Sequence, residues 1–171
     1  VAQRSERLGL ALDSEVVRAQ YQEMIAAYQE AGVNVYQIPA EAGLPYQVYA
    51  RDSSVMTPWG AIIMQMEKPF RRGEYAAVLR FYLEHGIPIY DIVSAGNVEG
   101  GDFMVLKPGV AICGYSGERS IEPAVNQLKN WFEAEGWEFM TYAFDPHFLH
   151  LDVQMGMIAE DLAVVCVEAV E

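Results

Sequence analysis

Three stretches of this chain align with one another: "QEAGVNVYQIP" (29–39), "LEHGIPIYDIV" (83–93) and "EAEGWEFMTYAF" (133–144). Each closes a helix-like run, passes through a glycine and enters a strand-like run. The glycines, Gly32, Gly86 and Gly136, stand 54 and 50 residues apart. Glycine just past a helix end is the common C-terminal cap, because the left-handed backbone there costs it little. Apolar residues at helical spacing predict helices over 14–31 (Val17, Tyr21, Met24, Ile25, Tyr28), 71–85 (Tyr75, Val78, Leu79, Tyr82) and 119–135 (Ile121, Val125, Leu128, Trp131, Phe132). Two short strands are expected before the second helix, near 47–50 and 60–65. Two more are expected before the third, at 102–106 and 110–114, joined by the turn signal "KPG". A last pair falls at 149–157 and 162–168. The repeating unit is therefore strand, strand, helix, strand, an α/β pattern whose period of about 50 residues belongs to stacked or radial arrays. The units fall roughly at 1–45, 46–95, 96–145 and 146–171, within a single partial domain. That makes the tail of one unit, two whole units and the head of another, and a radial array cut this way does not close on itself.

Composition narrows the function classes. The chain has 171 residues, 52% of them apolar, which suits a globular domain with a real core. A formal charge of −13 argues against nucleic acid as a partner and favours cationic ligands. No run of 18 apolar residues suggests a membrane span. The N-terminal "VAQRSERLGL" lacks an apolar signal core, and its opening Val points to a trimmed chain or a fragment. Cys113 in "GVAICGY" and Cys166 in "LAVVCVE" both fall in apolar strand-like runs. They are expected to be core thiols in a reducing, cytoplasmic setting.

The polar residues lie between the units. Asp52 stands in "YARDSS", Glu99 and Asp102 in "NVEGGDF", and His150 and Asp152 in "FLHLD". If 149–157 is a strand, alternation puts His150 and Asp152 on one face. Glu99, Asp102, His150 and Asp152 then occupy equivalent strand starts, which in a radial array converge on the axis. Gly100 and Gly101 allow a sharp turn or a close approach to a ligand, and a plain glycine hairpin with solvated acids is the simpler alternative. A metal site on His147, His150 and Asp152 is a further alternative, but the spacing fits no standard ligand signature and the three cannot all face one way on a strand.

Taken in order, "YARD", "RRGE", "VEGGDF", "GYSGERS" and "HLD" resemble the guanidino-group modifying enzymes: arginine deiminase, dimethylarginine dimethylaminohydrolase and the amidinotransferases. The resemblance runs from about Gln20 to the C-terminus. It implies the α/β propeller (pentein), five strand-strand-helix-strand units around a pore, of which about three are present. It also implies that Asp52 and Asp152 grip the planar guanidinium and that Glu99 holds it and orients His150. His150 would protonate the leaving amine and then activate water. Asp102 would be a supporting residue of the substrate site. Arg71 of "RRGE" and Arg119 of "GERS" match positions that bind a substrate carboxylate; without the resemblance, both read as ordinary surface residues at helix starts. No cofactor is implied. Tyr46 stands six positions before Asp52, where some members carry Asp or Asn. It would pack against the substrate chain or hydrogen-bond its amine.

One part is missing from the pattern. The family's cysteine nucleophile lies well after "HLD", and neither Cys113 nor Cys166 matches it. The expected function is hydrolysis of the guanidino group of arginine or a relative through a covalent amidino-cysteine, with the cysteine outside this chain. The products would be a ureido compound and ammonia or an amine. The alternatives are a non-catalytic module that binds guanidino compounds, and an amidinotransferase. Open sheet and helix faces predict a further partner, either another copy of the chain or a completing segment.

Overall fold

The computed structural model describes residues 7–9 and 13–169. The chain divides into two compact units, Val1–Gln37 and Ile38–Glu171. The first holds helix α1 (Ser14–Glu30), whose N-cap Asp13 accepts the Glu15 and Val16 N–H groups. The second holds three small sheets. Strands β1 (Ser54–Thr57) and β2 (Gly60–Ile63) form an antiparallel hairpin. Helix α2 (Glu74–Glu84) then returns the chain to β3 (Ile89–Ile92), parallel to β2. The same order recurs with β4 (Phe103–Lys107), β5 (Val110–Tyr115), α3 (Glu122–Ala134) and β6 (Glu138–Ala143). A third hairpin, β7 (Met155–Ala159) and β8 (Leu162–Val165), forms a sheet of two strands.

The three repeat glycines do the same job. After α1, Gly32 has φ 78°, its N–H reaches Gln29 O, and Val33 N–H reaches Tyr28 O at 2.9 Å. After α2, Gly86 has φ 64°, and Ile87 N–H reaches Tyr82 O at 2.8 Å. After α3, Gly136 has φ 78°, and Trp137 N–H reaches Phe132 O at 2.9 Å. This paired pattern satisfies the last carbonyls of the helix and turns the chain toward the sheet.

Several boundaries differ from the sequence reading. The stretch after Gly32 forms no strand among the described residues. A third strand pairs with the middle strand of a preceding hairpin, and the residues described before α1 supply none. The strand expected near 47–50 is instead β1, at 54–57. The "PWG" turn fixes β1 as the residues just before Pro58, and a 3-10 turn at Ala50–Ser53 leads into it. Likewise Leu151–Val153 is a 3-10 turn, and β7 starts only at Met155. His150 and Asp152 therefore do not alternate as strand residues.

One core runs through the two complete sheets. Ile62, Val98, Val125, Leu128 and Phe132 are fully buried and belong to one apolar cluster with Phe103 and Phe139. Each such side chain contributes about 1.5–3 kcal/mol on burial. Cys113 lies in this core, as expected, and burial pushes its thiol well above the usual range, helped by the charge of Asp102. Cys166 does not: it is exposed, with its Sγ 3.6 Å from Glu168 Oε2. It follows β8, whose residues are all exposed, so no second layer covers it. No described helix is long and apolar enough to cross a membrane.

Candidate active site

Each hairpin is entered through a one-turn 3-10 helix, at Ala50–Ser53, Gly100–Asp102 and Leu151–Val153. Asp52 and Asp102 lie on two of these turns, and Glu99 and His150 are the residues just before two of them. A repeated backbone device thus brings four polar side chains from distant parts of the sequence together. All four residues are buried.

The backbone has to come close for this. A Cβ at Gly101 would lie 2.8 Å from the His150 ring and 3.1 Å from Asp52 Oδ1. One at Gly100 would lie 2.1 Å from Arg51 O. The Gly101 N–H donates to Asp52 Oδ1 at 3.1 Å. Gly101→Ala should therefore push His150 and Asp52 apart and cost about 1–3 kcal/mol of stability, read as a fall in thermal midpoint. An unchanged midpoint would show that the turn has slack.

Around His150 the charges are dense. Its Nδ1 lies 3.2 Å from Asp102 Oδ2, and its Nε2 lies 3.5 Å from Glu99 Oε2 and 3.8 Å from Asp52 Oδ1. Arg119 Nη1 donates to Glu99 Oε2 at 2.9 Å, and the Glu67 N–H donates to Glu99 Oε1 at 3.1 Å. Arg71 donates to Asp52 Oδ2 at 2.9 Å and grips Glu74 with both Nε and Nη2, at 3.0 and 2.8 Å. It also lies 3.7 Å from Glu99. The cluster holds four carboxylates (Asp52, Glu74, Glu99, Asp102) and two guanidinium groups (Arg71, Arg119). The surplus is negative, and a cation relieves it.

The titrations follow this surplus. Burial alone pushes His150 down, but the hydrogen bond to Asp102 and the charges of Asp102, Asp52 and Glu99 outweigh it and raise the imidazole overall. Glu99 is raised, chiefly by burial, against the pull of the Glu67 N–H, Arg119 and His150. For Arg71 burial lowers and the Glu74 and Asp52 contacts raise, with a net upward shift. Both His150 and Glu99 hold their protons more tightly folded than unfolded. Their contribution to stability is present below their unfolded values, about 6.5 and 4.3, and fades as pH rises through the raised folded values. Denaturant midpoints should accordingly fall between pH 5 and pH 8, by less in a His150→Gln variant. A midpoint that rises over this range would contradict the assignment.

The other sequence candidates lie differently. Asp152 does not join His150; its Oδ2 accepts from Arg51 Nε at 2.8 Å, and Arg51 Nη2 donates to Phe103 O at 2.9 Å. This pair lines a cavity of about 820 Å³ formed along the first strands of the three hairpins, with Val55, Met104 and Met155. Of the residues expected to converge at strand starts, Asp152 lines this cavity, whereas Glu99, Asp102 and His150 are not part of its lining. Tyr46 packs on Phe70 and Tyr49, ring centroids 5.1 and 6.2 Å apart, and the Arg71 guanidinium lies 5.7 Å from the Tyr49 ring centre. His147 is exposed and packs on Phe148, so His147, His150 and Asp152 form no ligand set. The metal-type atoms that do converge, within 4.8 Å, belong to Asp52, Glu99 and His150. Of these, Asp52 Oδ1 already accepts the Gly101 N–H and Glu99 Oε2 an Arg119 N–H, so the set is not a free cage.

Three contributors escaped the sequence reading. Glu74 sits three residues after Arg71, at the spacing that places helical partners on one face, and that signal was available in "RRGE". Arg51 and Ser120 gave no signal beyond adjacency to Asp52 and Arg119.

Comparison with known proteins bears on the fold and on the family. Two curated relatives are uncharacterized proteins. YkgA of Bacillus subtilis is 28% identical over 152 residues, covering 89% of this chain and 51% of its own length. One from Aeropyrum pernix is 29% identical over 120 residues, covering 69% and 44%. The chain thus spans about half the length of these relatives. Among solved structures, dimethylarginine dimethylaminohydrolase from Pseudomonas aeruginosa, a cysteine-to-serine mutant complexed with citrulline, superimposes with TM-score 0.74 at 24% identity. That match covers 85% of this chain and 56% of the other. The N-terminal domain of ArgZ, an arginine dihydrolase from Cyanobacteria bound to substrate, gives TM-score 0.80 at 18% identity, covering 92% and 57%. These likenesses show the fold, a partial α/β propeller of the pentein kind. The family model described as N,N dimethylarginine dimethylhydrolase, eukaryotic, matches residues 3–171. The chain belongs to that dimethylarginine dimethylhydrolase family.

Proposed function

We propose that the protein containing this chain hydrolyses the guanidino group of arginine or a related compound. The observation that carries this is the buried cluster of Asp52, Glu99 and His150, with a surplus of carboxylates and an imidazole Nε2 that no N–H or O–H donor occupies. Carboxylates suit a planar guanidinium because each can accept two of its N–H groups. Asp52 and Glu99 hold the cation beside His150. Asp152 completes the grip from the cavity side, once Arg51 yields its place. Arg119, bound to Glu99 but partly exposed, receives a substrate carboxylate in this proposal. Arg71 is assigned there by resemblance too, though its N–H groups are taken up by Asp52, Glu74 and the Tyr49 carbonyl.

The reaction needs a thiolate from outside residues 1–171. Cys113 is sealed in the core with its proton held tightly, and Cys166 sits beyond β8 next to Glu168. The thiolate adds to the guanidinium carbon. His150 gives its proton to the departing nitrogen, which leaves as ammonia or an amine. His150 then takes a proton from water as the oxygen attacks, and the carbon–sulfur bond breaks to release the ureido product. Supply of that cysteine goes with supply of a partner for β8. Leu162 and Val164, 54% and 60% exposed, leave an apolar face bare. In both complete units the second strand of the hairpin instead pairs along its edge with a parallel strand, and a helix packs on it. A completing segment of the same kind fits it.

The test is incubation of the longer protein with arginine, agmatine and N-methylated arginines. A ureido product together with ammonia or an amine is expected from at least one. Neither hydrolysis nor amidino transfer with any of them would overturn the proposal. A second reading, binding without turnover, rests on the absence of a usable thiol at the site. It predicts saturable calorimetric binding of arginine and no product in that same experiment.

A further inference from the structure

The Asp102 carboxylate is engaged on both oxygens by groups of the protein itself. Its Oδ1 accepts the Leu151 N–H at 2.9 Å. Its Oδ2 accepts from Ser120 Oγ at 2.5 Å and faces His150 Nδ1 at 3.2 Å. Asp102 and Ser120 are both fully buried, so neither meets solvent. Ser120 is committed as well: its Oγ accepts the Glu99 N–H at 3.1 Å, so its one proton goes to Asp102. An ionised carboxylate only accepts hydrogen bonds, so an Nδ1 at this distance contributes favourably only when it carries the hydrogen. The same carboxylate also fixes the backbone one residue after His150, which locks the ring's direction together with its tautomer.

We propose that Asp102, oriented by Ser120, is a positioning residue that holds His150 as the Nδ1–H imidazole and leaves Nε2 as the atom that exchanges protons. The groups facing Nε2 are Glu99 and Asp52, themselves held by Arg119 and Arg71. The assignment deepens the function proposed above and rests on it only for what Nε2 does. The tautomer is a property of the resting chain. An unrestrained neutral histidine favours the opposite form, Nε2–H, so the prediction is not the default.

The geometry also says what a variant does. In Asp102→Asn the Leu151 N–H still needs an acceptor, so the amide oxygen takes that side. The NH₂ then points at Ser120 and His150 Nδ1. Nδ1 must become an acceptor, and the ring flips to Nε2–H. The chain has three histidines, so each ring is assignable by nitrogen-15 NMR using His85→Gln and His147→Gln controls. Long-range ring correlations recorded on the neutral imidazole should show a protonated Nδ1 and a bare Nε2 for His150. In Asp102→Asn the two should exchange. A wild-type His150 in the Nε2–H form would overturn the proposal without any variant, so a variant that fails to fold does not shield it. A folded Asp102→Asn that keeps the Nδ1–H form would overturn it too. Failure of the hydrolysis assay leaves this spectrum unaffected, so the two proposals fail separately.

Discussion

Arg71→Met is expected to destabilise the protein by about 3–5 kcal/mol, because it strips a buried cation from carboxylates that stay behind. Arg71 and Glu74 are almost fully buried, and Asp52 is nearly so. Without Arg71, Glu74 loses a two-point grip and Asp52 loses its contact at 2.9 Å. Domains of this size have about 5–15 kcal/mol in total, so the loss takes a large share. Buried ion pairs behave asymmetrically: breaking one costs far more than removing both sides. Arg71→Met combined with Glu74→Leu should therefore recover much of what the single change loses. Denaturant unfolding of wild type, single and double variants measures this directly. A single variant within 1 kcal/mol of wild type would mean that water reaches the cluster freely.

The second large effect is on chemistry. In the longer protein, His150→Gln should lower kcat by about 10²- to 10⁴-fold, the usual contribution of a positioned general acid and base. KM should change little, since the carboxylates proposed to hold the cation, Asp52, Glu99 and Asp152, are untouched. Glutamine fills a similar space, which limits collapse of the site. Steady-state kinetics on the best guanidino substrate separates the two parameters. A loss confined to KM would make His150 a binding residue and remove the proton-transfer role proposed for it.

Much of this architecture was legible because its signals are local. Gly32, Gly86 and Gly136 announced three helix ends, and the backbone there needs only residues within one helical turn. "KPG" announced the β4–β5 turn in the same way. The errors fell where a distant partner decides the outcome. Residues 33–39 carry a strand-like sequence but form none, because a ladder requires a neighbour as well as a propensity. Leu151–Val153 turns where alternation predicted extension, because Asp102 takes the Leu151 N–H from a segment 49 residues away. Cys166 looked like a core thiol, but a strand is buried only when something lies over it. At the site, the residue types and the meeting of Glu99, Asp102 and His150 were readable, whereas the separate place of Asp152 and the division of labour were not. Arg51 rather than His150 claims Asp152, and Ser120 links Glu99 to Asp102, through contacts that no short window of sequence contains.

The spacing of the partners in the site has a consequence for how the protein forms. Asp52 meets Gly101 across 49 residues, Asp102 meets His150 across 48, and Arg51 meets Asp152 across 101. Closing such loops costs entropy before any contact repays it. Hairpins and helix caps can form early, but this polar cluster can exist only once three hairpins have docked. During refolding the imidazole signal of His150 should be among the last to reach its final position. A single side chain then serves as a clock for completion of the tertiary structure, and a destabilising change anywhere between the hairpins will look like a lesion of the site itself.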